Sequence, residues 1–281
     1  MRIIEDIAIL NAQIKSWKKS HKTIGLVPTM GFFHDGHLAL MKEAQRKTDR
    51  TVVTVFVNPR QFGPQEDLDK YPRDISRDTA LAKAAGVDLL FCPSADAVYP
   101  AGYQTTVSVL QLSQGLCGAS RPGHFDGVAT ILVKLFNLVQ PDIAVFGEKD
   151  YQQLALIRQL VMDLNFPIDI IGHPIVREAD GLAMSSRNKY LEGEERANAV
   201  CLYTALQHAV KCIRQKEQVA TEDLIADLKI ILHEKEGCKV DYISIVHPQT
   251  LKKKTIAEKG DIVALAVFIN NKIRLIDNIT L

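Results

Sequence analysis

The stretch Thr23–His37, TIGLVPTMGFFHDGH, decides how this chain folds, and its core is the decapeptide PTMGFFHDGH from Pro28 to His37. Thr23 to Val27 is a short apolar run that stops at Pro28, the pattern of a buried parallel strand. His37 to Gln45 (HLALMKEAQ) consists of helix formers with Leu38, Met41 and Ala44 on one face, so a helix is predicted to begin near Gly36. A strand that turns into a helix leaves unpaired amides and partial positive charge at the junction, which is where an anion binds. Gly31 and Gly36 allow a sharp turn and close approach of a ligand to the backbone. His34 and His37 share a side of the first helical turn, where imidazoles can hydrogen-bond phosphate oxygens. The same spacing admits a metal site built from His34, Asp35 and His37, or a plain solvated turn. Two imidazoles alone do not close a metal site, and the decapeptide by itself leaves the three readings open.

Outward from this junction the alternation repeats. Ile3, Ile7, Leu10, Ile14 and Trp17 recur at helical spacing, predicting an amphipathic helix over Ile3 to Lys19. Thr51 to Val57 (TVVTVFV) is a second β-branched strand that Asn58-Pro59 terminates. Arg60 to Tyr71 reads as a polar loop, Asp74 to Ala85 as a helix and Val87 to Cys92 as a third strand. Pro93 to Arg121 is less regular, with a strand expected at Thr105 to Leu110. A helix over His124 to Val139, a strand at Ile143 to Phe146, a helix over Asp150 to Leu164 and a strand at Ile168 to Ile171 follow. This succession predicts an α/β, doubly wound parallel sheet. After about Val176 the pattern changes to two long helices, Glu194 to Gln215 and Thr221 to Glu234. Three strands follow at Val240 to Val246, Asp261 to Phe268 and Lys272 to Asp277, the last two joined by an Asn270-Asn271 hairpin turn. The expected organisation is a domain over residues 1–180 and a smaller C-terminal α+β domain over residues 181–281, with the boundary between 176 and 190.

Composition limits the function classes. Of 281 residues 47% are hydrophobic, enough for a sizeable core, and 34 Lys and Arg balance 33 Asp and Glu. That balance gives no footprint for nucleic acid or an anionic membrane, so an anion site must be local. Five cysteines, Cys92, Cys117, Cys201, Cys212 and Cys238, lack CxxC spacing and read as reduced, mostly buried thiols. The N-terminal MRIIEDIAIL carries acids within its apolar stretch, and no apolar run approaches a bilayer span. A soluble cytoplasmic protein is expected.

Open α/β sheets bind ligands beyond the carboxyl ends of their strands. Four polar clusters stand there: PTMGFFHDGH, Asn58–Phe62 (NPRQF), Gly147–Gln153 (GEKDYQQ) and, at the domain junction, Met184–Asn188 (MSSRN). Lys149 and Arg187 can neutralise phosphate, Ser185 and Ser186 can donate hydroxyls, and Gln61 and Gln153 can hold a small polar substrate. Singly, each is an ordinary surface residue; their recurrence at strand ends is what points to a site.

The segments PTMGFFHDGH, FVNPRQFGPQEDLDKYPR, RPGHFDGV, FGEKDYQQL and MSSRNKYL stand in the order and spacing of the pantothenate synthetase (pantoate–β-alanine ligase) family, which the whole chain resembles. HDGH also resembles the HxGH signature of nucleotidylyl transferases and class I aminoacyl-tRNA synthetases. The resemblance implies a Rossmann-like ATP- and pantoate-binding domain followed by a C-terminal lid. It implies ATP-driven condensation of pantoate with β-alanine through an acyl adenylate, with Mg²⁺ entering on ATP and a homodimer as the assembly. It assigns His34, His37, Lys149, Ser185, Ser186 and Arg187 to the ATP phosphates, with His37 as proton donor to departing pyrophosphate and His37, His34, Lys149 and Arg187 as the catalytic set. Pro28, Thr29, Met30, Gly31, Gly147, Glu148, Asp150, Val176 and Met184 complete the ATP site. Gln61 and Gln153 fall to pantoate, Gln61 also to β-alanine, and Asn58, Tyr71 and Arg121 to the shape of the pantoate end. Phe32-Phe33 departs from the smaller or aliphatic residues usual in the family. The weighed alternatives are an adenylyl transferase acting on a phosphate-bearing acceptor, which the amides of NPRQF and KDYQQ disfavour, a non-catalytic binding protein, and a metallohydrolase, which lacks further ligands near HDGH.

Overall fold

The computed structural model describes residues 1–64 and 66–281; Gln65, within the Arg60–Tyr71 loop, lies outside them. In chain order the elements are β1 (Arg2–Ile4), α1 (Ile7–Lys19), β2 (Ile24–Thr29), α2 (Asp35–Lys47), β3 (Arg50–Val55), α3 (Ile75–Ala84), β4 (Leu89–Phe91), α4 (Ala95–Val98), α5 (Leu116–Ser120), α6 (His124–Val139), β5 (Ile143–Gly147), α7 (Tyr151–Asp163) and β6 (Asp169–His173). There follow α8 (Gly193–Ala199), α9 (Cys201–Lys216), β7 (Gln218–Ala220), α10 (Thr221–His233), β8 (Cys238–Val246), β9 (Ile256–Glu258), β10 (Ile262–Ile269) and β11 (Ile273–Thr280). The chain divides into two compact units. One comprises residues 1–113, 121–148 and 153–174, the other residues 114–120, 149–152 and 175–281.

The first unit is a six-stranded parallel sheet in the order β1-β4-β3-β2-β5-β6. Successive crossovers run from β2 through β3 to β4 in one direction, and the chain then returns to place β5 on the other side of β2. The reversal makes the carboxyl ends of β2 and β5 the switch point, where doubly wound sheets bind ligands. Leu26, Val27, Val52 and Val53 are fully buried because helices cover both faces of the sheet. On one face Val27, Phe33, Met41, Ala44, Val53, Ala82, Leu90 and Val145 form a single apolar cluster. Burying each large member contributes about 1.5–3 kcal/mol.

Four expectations are corrected. β2 does not stop at Pro28 but runs to Thr29, with Pro28 opposite Thr54 of β3 and beyond Leu26, the last residue paired with β5, so a proline is tolerated there. Arg2–Ile4 is an edge strand paired with Leu89–Phe91, and the helix starts only after Asp6, whose carboxylate accepts the Ile9 N–H at 2.8 Å. Thr105–Leu110 forms no strand. The Val107 N–H donates to Thr130 Oγ1 at 3.0 Å, and the Thr105 carbonyl accepts from Arg60 at 3.1 Å, so side chains replace the ladder. The long stretch after Glu194 is two helices, α8 and α9, meeting at Val200.

The second unit contains an antiparallel sheet in the order β11-β10-β8 and the short pair β7-β9. Leu202, Leu206, Leu224, Leu228, Val263, Leu265 and Val267 form its core and are fully buried. The β10–β11 hairpin pairs Ile269 with Ile273, and Asn270 and Asn271 adopt φ of 49° and 55°. Both central residues are left-handed, the type I′ geometry that matches strand twist. Asn271→Val puts a β-branched side chain into that conformation and is expected to lower unfolding stability by about 1–2 kcal/mol, read as a drop in urea midpoint. Asn271→Gly is expected to leave the midpoint at or above wild type, and the reverse ranking would show that the turn is not left-handed.

Candidate active site

In the first unit the Pro28–His37 segment carries the chain from the end of β2 through a tight backbone turn into α2. Gly31 has φ +84°, and a Cβ there would lie 2.8 Å from Val55 Cγ1 and 2.9 Å from Asp78 Oδ2. Phe32 follows at φ +53°, a conformation that non-glycine residues adopt at a cost. What offsets that cost is Asp78 on α3. Its Oδ2 accepts the Phe32 N–H at 2.6 Å and its Oδ1 the Phe33 N–H at 2.7 Å, and the residue is 1% exposed. Burial pushes the Asp78 carboxyl up, against the pull of those two amides and Arg77. Phe33 is fully buried beneath the loop with its ring 5.6 Å from that of His37, and the Arg77 guanidinium lies 5.2 Å from the Phe32 ring. The Phe32-Phe33 pair therefore packs the turn rather than disturbing it.

Helix α2 then begins at Asp35 with His34 as its N-cap. The His34 N–H donates to His37 Nδ1 at 3.3 Å, and the two imidazole centroids are 4.1 Å apart. With Nδ1 accepting, the neutral His37 ring carries its proton on Nε2, which makes Nε2 the donor nitrogen. Upstream, the Thr29 hydroxyl donates to the Thr54 carbonyl at 2.6 Å and accepts the Gly31 N–H at 3.1 Å. Pro28, Thr29 and Met30 are half-buried.

Gln61 closes a short 3₁₀ turn, Pro59–Gln61, capped by Asn58. Asn58, 1% exposed, donates through Nδ2 to Gln61 Oε1 at 3.1 Å and to the Gly127 carbonyl at 3.0 Å, and its Oδ1 accepts from Tyr99 at 2.9 Å. Burial pushes the Tyr99 hydroxyl up to about 12, which keeps it a donor. Gln61 Nε2 meets Met30 Sδ at 3.1 Å. Helix α6 can approach this turn only because residue 127 is glycine: a Cβ would overlap the Arg60 carbonyl and lie 2.6 Å from the Gln61 nitrogen. The Gln61 carbonyl meets His124 Nδ1 at 2.8 Å and accepts from Arg121 at 3.3 Å. Arg121 in turn grips Glu66 in a two-pronged pair at 2.7 and 2.6 Å. Burial pushes the Glu66 carboxyl up, but the Arg121 guanidinium outweighs it and holds the group below the usual range. Tyr71, 6% exposed, packs edge-on against Phe62 at 5.8 Å. At the end of β5, a Cβ on Gly147 would meet no described protein atom within 4 Å, and Glu148 and Gln153 are half-buried.

The second unit supplies the remaining expected residues. The Met184 N–H donates to the Val176 carbonyl at 3.0 Å, and Arg177 bridges to Ala183, so Val176 and Met184 face each other across a tight hairpin. Ser185 Oγ accepts the Arg187 N–H at 3.3 Å and caps the 3₁₀ turn Ser186–Tyr190. Asn188 donates to Glu178 at 2.7 Å and to the Ala183 carbonyl at 3.1 Å. Arg177 forms a two-pronged pair with Asp277 at 2.6 and 2.9 Å. Burial pushes the Asp277 carboxyl up against the opposing pull of Arg177. The adjacent Asn278 donates to the Lys149 carbonyl at 2.8 Å, so β11 positions both the Lys149 backbone and the Val176–Met184 hairpin. Lys149 Nζ lies 3.9 Å from the exposed Asp150 carboxylate. Gln152, next to the expected Gln153, is structural: it accepts the Cys117 N–H at 2.9 Å and donates to the Gly115 carbonyl at 3.1 Å.

The first unit thus holds Pro28–Gly31, His34, His37, Asn58, Gln61, Tyr71 and Arg121, and also Gly147, Glu148 and Gln153. Lys149, Asp150, Val176 and Met184–Arg187 belong to the second. Asp78, Glu66, His124, Asp277 and Asn278 support these groups and were not anticipated. Glu66 and His124 stand within the motif segments quoted above, which is the signal that could have found them.

A family model described as pantoate-beta-alanine ligase matches residues 2–280. The chain is 49% identical over 282 residues to the pantothenate synthetase of Desulfotalea psychrophila, covering 99% of this chain and 98% of that one. It is 50% identical over 281 residues to the pantothenate synthetase of Geobacter sulfurreducens, covering 100% and 99%. Among solved structures, pantothenate synthetase from Thermus thermophilus superposes with a TM-score of 0.94 at 45% identity, covering 100% and 99%. Pantoate-beta-alanine ligase from Francisella tularensis, solved with beta-gamma ATP and beta-alanine, gives a TM-score of 0.81 at 35% identity, covering 100% and 97%.

Asp78→Asn preserves volume but turns an NH₂ group toward a backbone N–H. It is expected to lower unfolding stability by about 1–3 kcal/mol and to remove hydrogen-exchange protection of the Phe32 and Phe33 amides. Protection equal to wild type at those amides would refute the clamp.

Proposed function

The chain belongs to the pantoate-beta-alanine ligase family, and on that premise we propose that the strand-end groups described above are the working parts of its reaction. The protein is an AMP-forming ligase that condenses pantoate with β-alanine at the expense of ATP. Pantoate's carboxylate attacks the α-phosphorus of ATP, pyrophosphate leaves, and the β-alanine amine then displaces AMP from the pantoyl adenylate. Positioning and charge stabilisation suffice for both steps, without a covalent enzyme intermediate.

The observation that carries the site assignment is the His34 N–H bond to His37 Nδ1 at the start of α2. It presents an Nε2–H donor beside a helix N-terminus, where phosphate charge is favoured. A neutral ring that gave up this proton would become imidazolate, and an imidazolium would have to break the bond to His34. We therefore assign His37 the role of a hydrogen-bond donor to the departing pyrophosphate rather than an outright proton donor. His34, Lys149, Ser185, Ser186 and Arg187 share the phosphates, and Arg187 is suited to a two-pronged contact. Pro28, Thr29, Met30, Gly31, Glu148, Asp150, Val176 and Met184 take the rest of ATP. Gly147 fits that role because neither its backbone nor its protein neighbours require a glycine there.

Gln61 is assigned to pantoate and β-alanine, and Gln153 to pantoate. The support for Gln61 is its carboxamide: Asn58 fixes the oxygen, while the NH₂ rests on a thioether, a weak acceptor that a substrate oxygen can replace at little loss. The donor set is mainly cationic and amide in character, which fits Mg²⁺ arriving on the phosphates of ATP, where it would neutralise part of their charge.

Residues 1–180 are the proposed ATP- and pantoate-binding part, and residues 181–281 the proposed lid. Homodimerisation draws support from the 105–110 segment, which pairs with no described strand and carries Leu110 at 76% exposure. A cytoplasmic location draws support from the five unbridged cysteines, and no helix among the described residues is long and apolar enough to cross a membrane.

Purified protein given Mg·ATP, pantoate and β-alanine is expected to form pantothenate with stoichiometric AMP and pyrophosphate; ADP formation, or turnover without pantoate, would overturn the reading. His37→Ala is expected to slow adenylate formation by about 10²–10³-fold with the fold intact. His37→Gln, which keeps a donor but has no proton to give, is expected to recover part of that rate, and equal losses in the two variants would restore proton transfer to His37.

A further inference from the structure

Helices α9 and α10 of the second unit bring three metal-ligating side chains together, well apart in sequence from every motif discussed so far. His208 and Cys212 are four residues apart on α9 and share one face of it, and Asp227 stands on the neighbouring α10. His208 Nε2 lies 3.3 Å from Cys212 Sγ and 3.5 Å from Asp227 Oδ2, and one ligand atom from each residue falls within 4.8 Å of the others. Among the described residues this is the single group of three His, Cys, Asp or Glu side chains with such geometry.

The spacing agrees with what a common metal ion demands. Zinc binds imidazole nitrogen and carboxylate oxygen at about 2.0–2.1 Å and thiolate sulfur at about 2.3 Å. Tetrahedral angles then place nitrogen and sulfur roughly 3.6 Å apart, and nitrogen and oxygen roughly 3.4 Å apart. The observed separations fall within a few tenths of an ångström of both. The platform is also fixed. Leu206, Ala209 and Leu228, beside the ligands, are fully buried, and Ile213 is 5% exposed, so the two helices are locked by their apolar faces while the polar faces hold the ligands. Solution access is retained, since the side chains of His208 and Asp227 are 37% and 55% exposed.

We propose that His208, Cys212 and Asp227 form a Zn²⁺ site with three protein ligands and a fourth position taken by water. The mixed nitrogen, sulfur and oxygen set excludes Mg²⁺ and Ca²⁺, which take oxygen ligands, and suits a borderline ion. On binding, the Cys212 thiol releases its proton to solvent and its sulfur donates a lone pair to the metal. The ion ties α9 to α10 and stabilises the second unit without touching the groups assigned to ATP, pantoate or β-alanine. The inference is independent of those assignments.

The test uses the full chain, stripped of metal with a chelator, kept reduced with a phosphine and titrated with Co²⁺. A thiolate-to-cobalt charge-transfer band and tetrahedral d–d bands are expected to grow to a single equivalent and to be displaced by Zn²⁺. Cys212→Ser is expected to abolish the charge-transfer band. His208→Ala and Asp227→Asn are expected to weaken Co²⁺ binding on the order of a hundredfold, each with an unchanged circular dichroism spectrum. Cys201→Ser is the control, because Cys201 and Cys238 also lie close, with sulfurs 3.2 Å apart; the band is expected to survive it. No charge-transfer band in wild type, a band that persists in Cys212→Ser or vanishes in Cys201→Ser, or unweakened binding in His208→Ala would overturn the proposal.

Discussion

The candidate site rests on a buried carboxylate gripping two consecutive amides. Asp78 accepts from Phe32 and Phe33, and in doing so it stabilises a left-handed residue that nothing local would favour. The consequences run downstream in order. Phe32 at φ +53° turns the chain, Phe33 drops into the core, His34 becomes the N-cap, and the helix that starts at Asp35 places His37 to receive the His34 N–H. A carboxylate suits this task better than an amide side chain would. It offers acceptors on both oxygens, and bonds from backbone N–H groups to an ion are stronger than neutral ones. Burial works against the charged form, which explains why the carboxyl is pushed up rather than down despite two short bonds.

The turn that carries Gln61 in the first unit uses a related device. Glu66 and Arg121 form a pair that is only partly exposed, and such pairs seldom add net stability. What this pair does is orient: with Glu66 fixing the guanidinium, Arg121 and His124 together hold the Gln61 carbonyl, and Asn58 holds the Gln61 side-chain oxygen. Both ends of Gln61 are thereby constrained before any ligand arrives, leaving its NH₂ on a sulfur. Preorganisation of this kind reduces the entropy lost when a small polyol is bound.

Much of this was legible in the chain, for identifiable reasons. Apolar runs marked β2 and β3, although β2 runs on through Pro28, helical periodicity gave α6 over His124–Val139 without error at either end, and paired asparagines marked the β10–β11 turn. The rule that ligands gather at strand ends pointed to HDGH, NPRQF and GEKDYQQ, and the structure does set these segments after β2, β3 and β5, because that rule depends only on locating strands. The supporting residues were not legible. Asp78 sits in a helix where an aspartate reads as surface cover, and its partners are more than forty residues upstream. Arg177 and Asp277 are separated by a hundred residues, and nothing in either neighbourhood announces the other. β1 is three residues long, too short for periodicity to separate it from the helix that follows. His208, Cys212 and Asp227 were missed for a different reason. The cluster mixes residue types and spans two helices, so no cysteine-to-cysteine spacing marks it.

A common logic links the supporting carboxylates of the two units, each considered by itself. Asp78 in the first holds the Phe32–Phe33 turn, Asp277 in the second holds Arg177, and each is almost wholly buried. Neither charge is left unopposed: two amides engage Asp78, and a guanidinium and the Asn278 N–H engage Asp277. An anion site needs rigid walls, and the strongest way to fix a backbone turn or an arginine is a charged acceptor. A bare carboxylate set directly against a phosphate would repel it. Setting the carboxylates one layer back and saturating them with donors resolves the conflict, because a neutralised, hydrogen-bonded charge holds geometry while projecting little field. Asp78 and Asp277 therefore act through the turns and side chains they hold, and no local pattern in the sequence marks them.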